Sequence, residues 1–278
     1  MILLKNSSFT GGENRLVTNE RKQEIIDNFI LLDDDFMSKV FDKDTSAIQC
    51  VLRVVLNDPG LKVIRSKAQY MILNTGGRDI WLDVFAESTD GRKMNLEVQR
   101  ENKDAIPRRA RFHSAAMDVD LSKKGIKFKD LPETWVVFLT ERDFWKAGKP
   151  LYPVERHVEG IDEPFNDGAH ILYVNGDYKG DDPVGRLVHD FKCKNSQDMN
   201  YPELAERVRY FKESEGRQEM CEAMEKLIAE EVLEKQKENA IEMLKDGVLT
   251  DEQIAKYASL SLEQVRELRK SLREPAMA

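Results

Sequence analysis

Asp79-Ile80-Trp81-Leu82-Asp83-Val84-Phe85, followed by Ser88-Thr89-Asp90-Gly91 and then Met94-Asn95-Leu96-Glu97-Val98-Gln99, is the stretch on which the reading of this chain turns. Residues two apart on a strand share a face. Met94, Leu96 and Val98 therefore make an apolar face, and Asn95, Glu97 and Gln99 the opposite, polar one. The segment 80–85 is apolar except for Asp83. A carboxylate among such neighbours costs free energy unless it is paired or holds a metal. The run from Ser88 to Gly91 is a turn signal between the two strands.

Loop length decides whether the two carboxylates meet. A three-residue loop, Thr89-Asp90-Gly91 with Gly91 left-handed, is a common hairpin form. It sets Ser88 opposite Arg92 and, counting back, Asp83 opposite Glu97. Directly opposed side chains lie about 5 Å apart at Cβ, close enough to share one hard cation. A two-residue loop would set Asp83 opposite Val98 and turn Glu97 to the other face. The metal reading therefore requires the odd loop. Two solvent-facing acids on an open hairpin are the plainer reading of any such pair; the apolar flanks of Asp83 argue for a central strand instead.

On the N-terminal side, residues 1–20 include Ser7-Ser8, Gly11-Gly12 and Asn14 and read as a loose arm. Residues 28–56 are helical in pattern: Phe29, Phe36, Val40 and Phe41 fall at helical spacings, then Ile48, Val51, Leu52 and Val55. Asn57-Asp58-Pro59-Gly60 is a stop, and residues 61–64 read as the first strand. On the C-terminal side a helix is expected from Pro107, a residue suited to the first helical position, to about Leu121. Residues 135–139 and 171–174 read as buried strands, 142–167 as loop-rich and 184–191 as a short helix. From Pro202 onward Glu, Lys, Arg, Gln, Met and Leu dominate. The expected organisation is an arm at 1–20, an α/β domain at 21–200 and an all-helical tail at 201–278.

Composition sets outer limits. Of 278 residues, 41% are hydrophobic, enough for a sizeable core, and 34% are charged, which suits long exposed helices. No apolar run approaches bilayer length, and Met1-Ile2-Leu3-Leu4-Lys5 is too short an apolar start for a signal peptide. A cytoplasmic protein is expected. Cys50, Cys193 and Cys221 form no CxxC pair, as for reduced thiols. The net charge of −8 argues against a protein that simply coats nucleic acid, while leaving room for a local basic rim. There is no GxxxxGK[ST] or GxGxxG loop and no GxSxG elbow. His113, His157, His170 and His189 have no zinc spacing.

Asp83, the short hairpin and Glu97-Val98-Gln99 resemble the metal-site motif of the PD-(D/E)xK nuclease superfamily, and more narrowly its branch of recombination-promoting nucleases, or transposases. Asp35-Phe36-Met37-Ser38-Lys39-Val40-Phe41 is similar to that branch's opening helix, and Arg108-Arg109-Ala110-Arg111-Phe112 to its helix after the motif. Segments 135–152 and 170–174 follow in the same order, so the likeness covers residues 34–212. It implies a restriction-endonuclease-like α/β core, a mixed central sheet flanked by helices. It also implies a Mg²⁺-dependent DNA endonuclease of mobile elements or recombination.

In that reading Asp83, Glu97 and the Val98 carbonyl hold Mg²⁺, a hard ion suited to oxygen ligands, and the ion activates a water. Two positions depart from the family pattern: Leu82 replaces a proline, and Gln99 replaces a lysine that orients or deprotonates the attacking water. An amide is no base near neutrality, though it can hold a water, so the general base stays unassigned. Arg109 and His113, four apart on one helix side, are candidates to contact DNA phosphates; a surface ion pair and a satisfied half-buried ring are the plainer readings. Asp34, Asp35 and Asp42 compete as a further carboxylate. A nuclease fold that binds nucleic acid or protein without cleaving is the alternative, favoured by Gln99 and the acidic balance. A third, a structural self-associating helical protein, is disfavoured by the strand segments.

In the tail, Leu204, Val208 and Phe211, then Met224, Leu227, Ile228 and Val232, make apolar stripes on charged helices, suited to docking or to a homo-oligomer. Thr250-Asp251-Glu252-Gln253 and Ser261-Leu262-Glu263-Gln264 are capping boxes. They open short helices at 251–258 and 262–272, joined as in a helix-turn-helix. The second helix carries Gln264, Arg266, Arg269, Lys270 and Arg273 beside the acidic Glu263 and Glu267. DNA reading and a plain helical hairpin both fit.

Overall fold

The computed structural model describes residues 19–73, 77–100, 102–122 and 125–273. Residues 1–18 of the expected arm lie outside them; Asn19 and Glu20 open the first helix, α1 (Asn19–Asn28). The segment that reads as helical over 28–56 is two helices, α2 (Asp34–Phe41) and α3 (Thr45–Val55). Asp44 separates them, its carboxylate accepting the N–H of Ala47 and capping α3.

A mixed six-stranded sheet follows. β1 (Val63–Ile72), β2 (Ile80–Ser88) and β3 (Lys93–Gln99) form an antiparallel meander. β3, β4 (Thr134–Thr140) and β8 (Ala169–Asn175) are parallel. Parallel neighbours need a crossover, and between β3 and β4 it is α4 (Pro107–Leu121), which starts at the proline as expected. The region that reads as loop-rich holds β5 (Leu151–Val154), which closes the far edge antiparallel to β8. It also holds a two-stranded ribbon, β6 (His157–Val158) with β7 (Glu163–Pro164). Pro153 sits in β5, where no N–H is needed on an edge. The sheet order is β1-β2-β3-β4-β8-β5, the mixed, helix-flanked α/β architecture expected.

α4 packs on one face with Val136, Phe138 and Tyr173. The other face meets α2 and α3; Ser66 of β1 donates to the Phe41 carbonyl there. Face alternation slips where β1 and β2 lie opposite each other at Gln69 and Asp83. Leu82 and Phe85, three apart, both join the α4-side cluster. Gln69, between the paired positions 68–84 and 70–82, has a left-handed φ of 49°. The expected first strand, 61–64, was too short. β1 is a half-exposed edge strand with Arg65, Lys67 and Gln69 in it, so the apolar signal fades while the ladder continues.

α5 (Pro183–Lys192) and α6 (Pro202–Glu213) pack against α3. Leu204, Val208 and Phe211 of the first stripe are buried. So is Lys212, whose Nζ donates to the carbonyls of Asp27, Phe29 and Lys194 at 3.0, 2.6 and 2.6 Å. Contacts accordingly divide the chain between Met220 and Cys221, later than the change of composition near Tyr201. The second compact unit contains most of α7 (Gly216–Asp246), with α8 (Asp251–Ala258) and α9 (Leu262–Arg273). Its core is Ala240, Leu244, Ile254, Ala258, Leu260 and Val265. Thr250 with Gln253, and Ser261 with Gln264, make the two reciprocal caps. Met224 is buried while Val232 of the same stripe stays exposed.

Candidate active site

The β2–β3 turn has the three-residue form. Gly91 lies at φ 89°, and Ser88 and Arg92 face each other through Ser88 N–H to Arg92 C=O at 3.1 Å. The ladder runs from Glu87–Lys93 to Val84–Leu96. One step further the same register sets Asp83 against Glu97, and there the side chains take over from the ladder. The Asp83 N–H donates to Glu97 Oε1 at 3.3 Å, and the Val98 N–H donates to Asp83 Oδ2 at 3.0 Å. Both residues are buried, Asp83 8% exposed and Glu97 0%.

Glu97 is held from α4. Arg109 Nη2 donates to Oε2 at 3.2 Å, and His113 Nδ1 reaches Oε1 at 3.1 Å. Arg109 Nε donates to His113 Nε2 at 3.4 Å, which leaves Nδ1 as the protonated nitrogen facing the carboxylate. Asn95 Nδ2 donates to the same Oε1 at 2.8 Å, and its own Oδ1 is buried without a partner among the described residues. Asn95 was not singled out from sequence beyond its face; its position two before Glu97 was the available signal. Gln99 ends β3 half-buried on the face of Glu97.

Arg100 follows at once and binds Asp33 at 2.5 Å. That contact ties the start of α2 to the end of β3 and brings Asp34 toward the pair. Asp34, Asp35 and Asp42 were inseparable in sequence, and tertiary packing separates them. Asp34 opens to solvent on one side yet lies in the field of Glu97, Arg109 and Asp83. Asp35 responds to Asp33 rather than to the pair. Asp42 accepts the Ala68 N–H away from it.

The electrostatics are lopsided. Burial pushes the Asp83 carboxyl well above the ordinary aspartate range, and the charges of Glu97 and Asp34 add to it, against one N–H from Val98 and the more distant Arg109. Desolvation, then Asp35 and Glu97, raise Asp34 as well. Burial alone would raise Glu97; hydrogen bonds from His113 and Asn95 and the Arg109 charge outweigh it and hold Glu97 below its usual range. A cluster of this kind is a poor place for protons to leave unless a cation replaces them. The Asp83 and Glu97 donors are hard oxygens, so the residues present fit a divalent cation with its water shell.

Compared with known families, residues 42–259 match the PD-(D/E)XK nuclease family transposase. The chain belongs to this family. The match includes β2, β3, α4 and the tail as far as Ser259, and begins after Asp34. Searches of curated proteins and of solved structures found no match. Membership in the PD-(D/E)XK nuclease family transposases implies a nuclease- or transposase-related function on DNA, and nucleases of this superfamily usually employ a divalent metal. Among the described residues, no helix is long and apolar enough to cross a membrane.

Proposed function

We propose that the protein is a Mg²⁺-dependent DNA endonuclease acting in recombination or on mobile elements, with Asp83 and Glu97 as its metal carboxylates. The observation that carries this reading is the buried Asp83–Glu97 pair, like-charged and aligned by the hairpin register. Asp83, Glu97 and the Val98 carbonyl are the proposed ligands. The Val98 N–H already points at Asp83, and N–H and C=O of one strand residue face the same neighbour. A bound Mg²⁺ would polarise the phosphate and lower the pKa of a water.

The chain's own groups then divide the work. His113 and Asn95 orient Glu97 from behind. Arg109 is one-third exposed and lies on the outer oxygen of Glu97, so a cation arriving there frees its guanidinium for a phosphate. His113, only 5% exposed, reaches DNA less directly. Gln99 holds a water by hydrogen bonds and takes no proton. It is also what favours the second reading, a nuclease fold that binds without cleaving.

In the tail, Gln264 and Arg269 are engaged inside the hairpin, Gln264 in its cap and Arg269 on Asp251 at 2.6 Å. That supports a structural hairpin over a DNA-reading one. Self-association through the helical tail is part of the proposal and is tested by sedimentation; a clean monomer counts against it. The decisive assay is nicking of supercoiled plasmid with and without Mg²⁺, wild type against Asp83→Ala. Nicking that requires the metal and vanishes in the variant supports the enzyme. A folded wild type inert with several divalent ions moves the reading to a binding module.

A further inference from the structure

The ladder between β1 and β2 continues past Asp83, through Tyr70–Leu82 and Met71–Trp81 to Ile72–Ile80. The ladder between β2 and β3 stops at Val84–Leu96, so this end of the hairpin is a two-stranded extension beside the carboxylate pair. One of its faces belongs to the core: Ile72, Ile80 and Leu82 are buried with α4, and Tyr70 packs against them. Met71 and Trp81, which alternate with these, are exposed, as is Leu73 just beyond. Trp81 is 51% exposed and has no ring contact or hydrogen bond among the described residues. The other two tryptophans are engaged: Trp135 stacks on His170 with ring centroids 4.1 Å apart, and Trp145 meets Phe144 edge-on at 5.0 Å.

This bare face adjoins the open side of the site. α2 runs antiparallel along β1, with the Phe41 carbonyl at Ser66 and the Ser38 hydroxyl at Gln69. Its first turn, which carries Asp34, therefore lies toward Met71. Trp81 stands two strand residues, roughly 7 Å, before Asp83, about the reach of one or two nucleotide steps. Three side chains are too few for a lasting protein interface, which buries on the order of 1,200 Å² or more. A flat indole with a flexible thioether beside it suits one aromatic ring instead. A nucleobase is uncharged, so seating it there meets no repulsion from Asp34, Asp83 and Glu97.

We propose that Trp81, flanked by Met71, is the platform on which a DNA base next to the scissile phosphate stacks. A base inside a duplex has both faces covered by its neighbours, so the seated base is one that has left the stack. The substrate this assigns is DNA with an unpaired or distorted segment at the cut. The inference rests on the nuclease reading and names the form of DNA that this site takes. Stacking of this kind tolerates any base, since every base offers a π-face.

The test measures anisotropy of a labelled oligonucleotide with a central unpaired stretch, against the fully paired duplex, on the full chain. The background is Asp83→Asn, so that binding is read without cutting. Trp81→Ala weakens binding to the unpaired form by roughly tenfold or more and leaves the paired duplex unchanged, while Trp81→Phe keeps most of the affinity. The salt slope is the same in all three, because stacking releases no counterions. Replacing the unpaired bases by abasic sugars weakens the Trp81 protein more than the Trp81→Ala protein. Should Trp81→Ala unfold, the abasic series and quenching of the emission that Trp81→Phe removes carry the test. Unpaired DNA bound equally by Trp81→Ala and its parent, with no effect of abasic sugars, overturns the platform and leaves the nuclease reading intact. A dimer in sedimentation that Trp81→Ala dissociates, with DNA binding unchanged, makes the face an interface between copies and overturns it too. A folded wild type that neither binds DNA nor nicks it with Mg²⁺ removes both readings.

Discussion

Among the described residues, two places bury formal charge, and they do it in opposite ways. Around α5 and α6, each buried ion is surrounded by its own complement. Lys212 donates to three carbonyls. Asp190 accepts the N–H groups of Asn200 and Tyr201 and the Asn200 amide, all between 2.8 and 2.9 Å. At the end of β2 and β3, Asp83 accepts a single N–H while Glu97 and Asp34 crowd it with like charge. The first arrangement holds the chain together whether or not anything binds. The second is incomplete by itself, and that incompleteness is what supports reading it as the proposed site. His189, Asp190 and Cys193 also come within ligand distance of one another, but the Asp190 oxygens already serve the turn into α6.

The contrast can be broken most directly at Asp83. Asp83→Asn keeps the shape and removes the charge, so Mg²⁺-dependent nicking should fall to background. In EDTA the same variant should be more stable than wild type, by about 1 kcal/mol, or roughly 3 °C in Tm. The pH dependence has a definite sign. The folded pKa of Asp83 is raised by burial and by Glu97 and Asp34. Its contribution to metal-free stability is therefore fully present below the ordinary aspartate range and is lost as pH rises through the raised value. Melting curves in EDTA should show this loss in wild type and not in Asp83→Asn, and Mg²⁺ should restore stability above that range in wild type only. Parallel curves for the two proteins would sink the argument.

Next in size is the support of Glu97. Asn95→Ala or His113→Ala should weaken divalent-ion binding by 10–100-fold, read by calorimetry, with nicking falling alongside. On the other side of the comparison, Lys212→Ala strands three buried carbonyls and should cost roughly 3 kcal/mol in urea unfolding while metal affinity stays unchanged. Burial has already lowered the Lys212 pKa to about 8; its unfolded value is higher, so below pH 8 the site bears its full desolvation cost. The smallest effect is expected in the tail, where Thr250→Ala or Ser261→Ala removes one cap for about 1 kcal/mol each.

What the sequence made legible follows from range. The hairpin register needed only Gly91 and a two-residue alternation, and the start of α4 needed only Pro107. Edge strand β1 was underestimated because exposed strand residues are as polar as loop residues and because Gln69 reverses the alternation halfway. Asp34 could not be told from Asp35 and Asp42, since Arg100–Asp33 acts across 67 residues. Lys212 sits in a helix so charged that nothing marks it as buried; its carbonyl partners come from positions 27, 29 and 194. Local rules set the elements and the pair, and long-range contacts set the place of Asp34 and the later limit of the first unit.

Pro153 bears on the behaviour of the protein in concentrated solution. Pro150 accepts from Asn175 across the β5–β8 boundary, so alternation turns the Pro153 nitrogen away from the sheet. A foreign strand approaching that rim meets a position unable to donate, while at the opposite rim it meets Arg65 and Lys67. Neither border offers a template for fibril growth, and Pro153→Val is the one-residue change that would begin to create one.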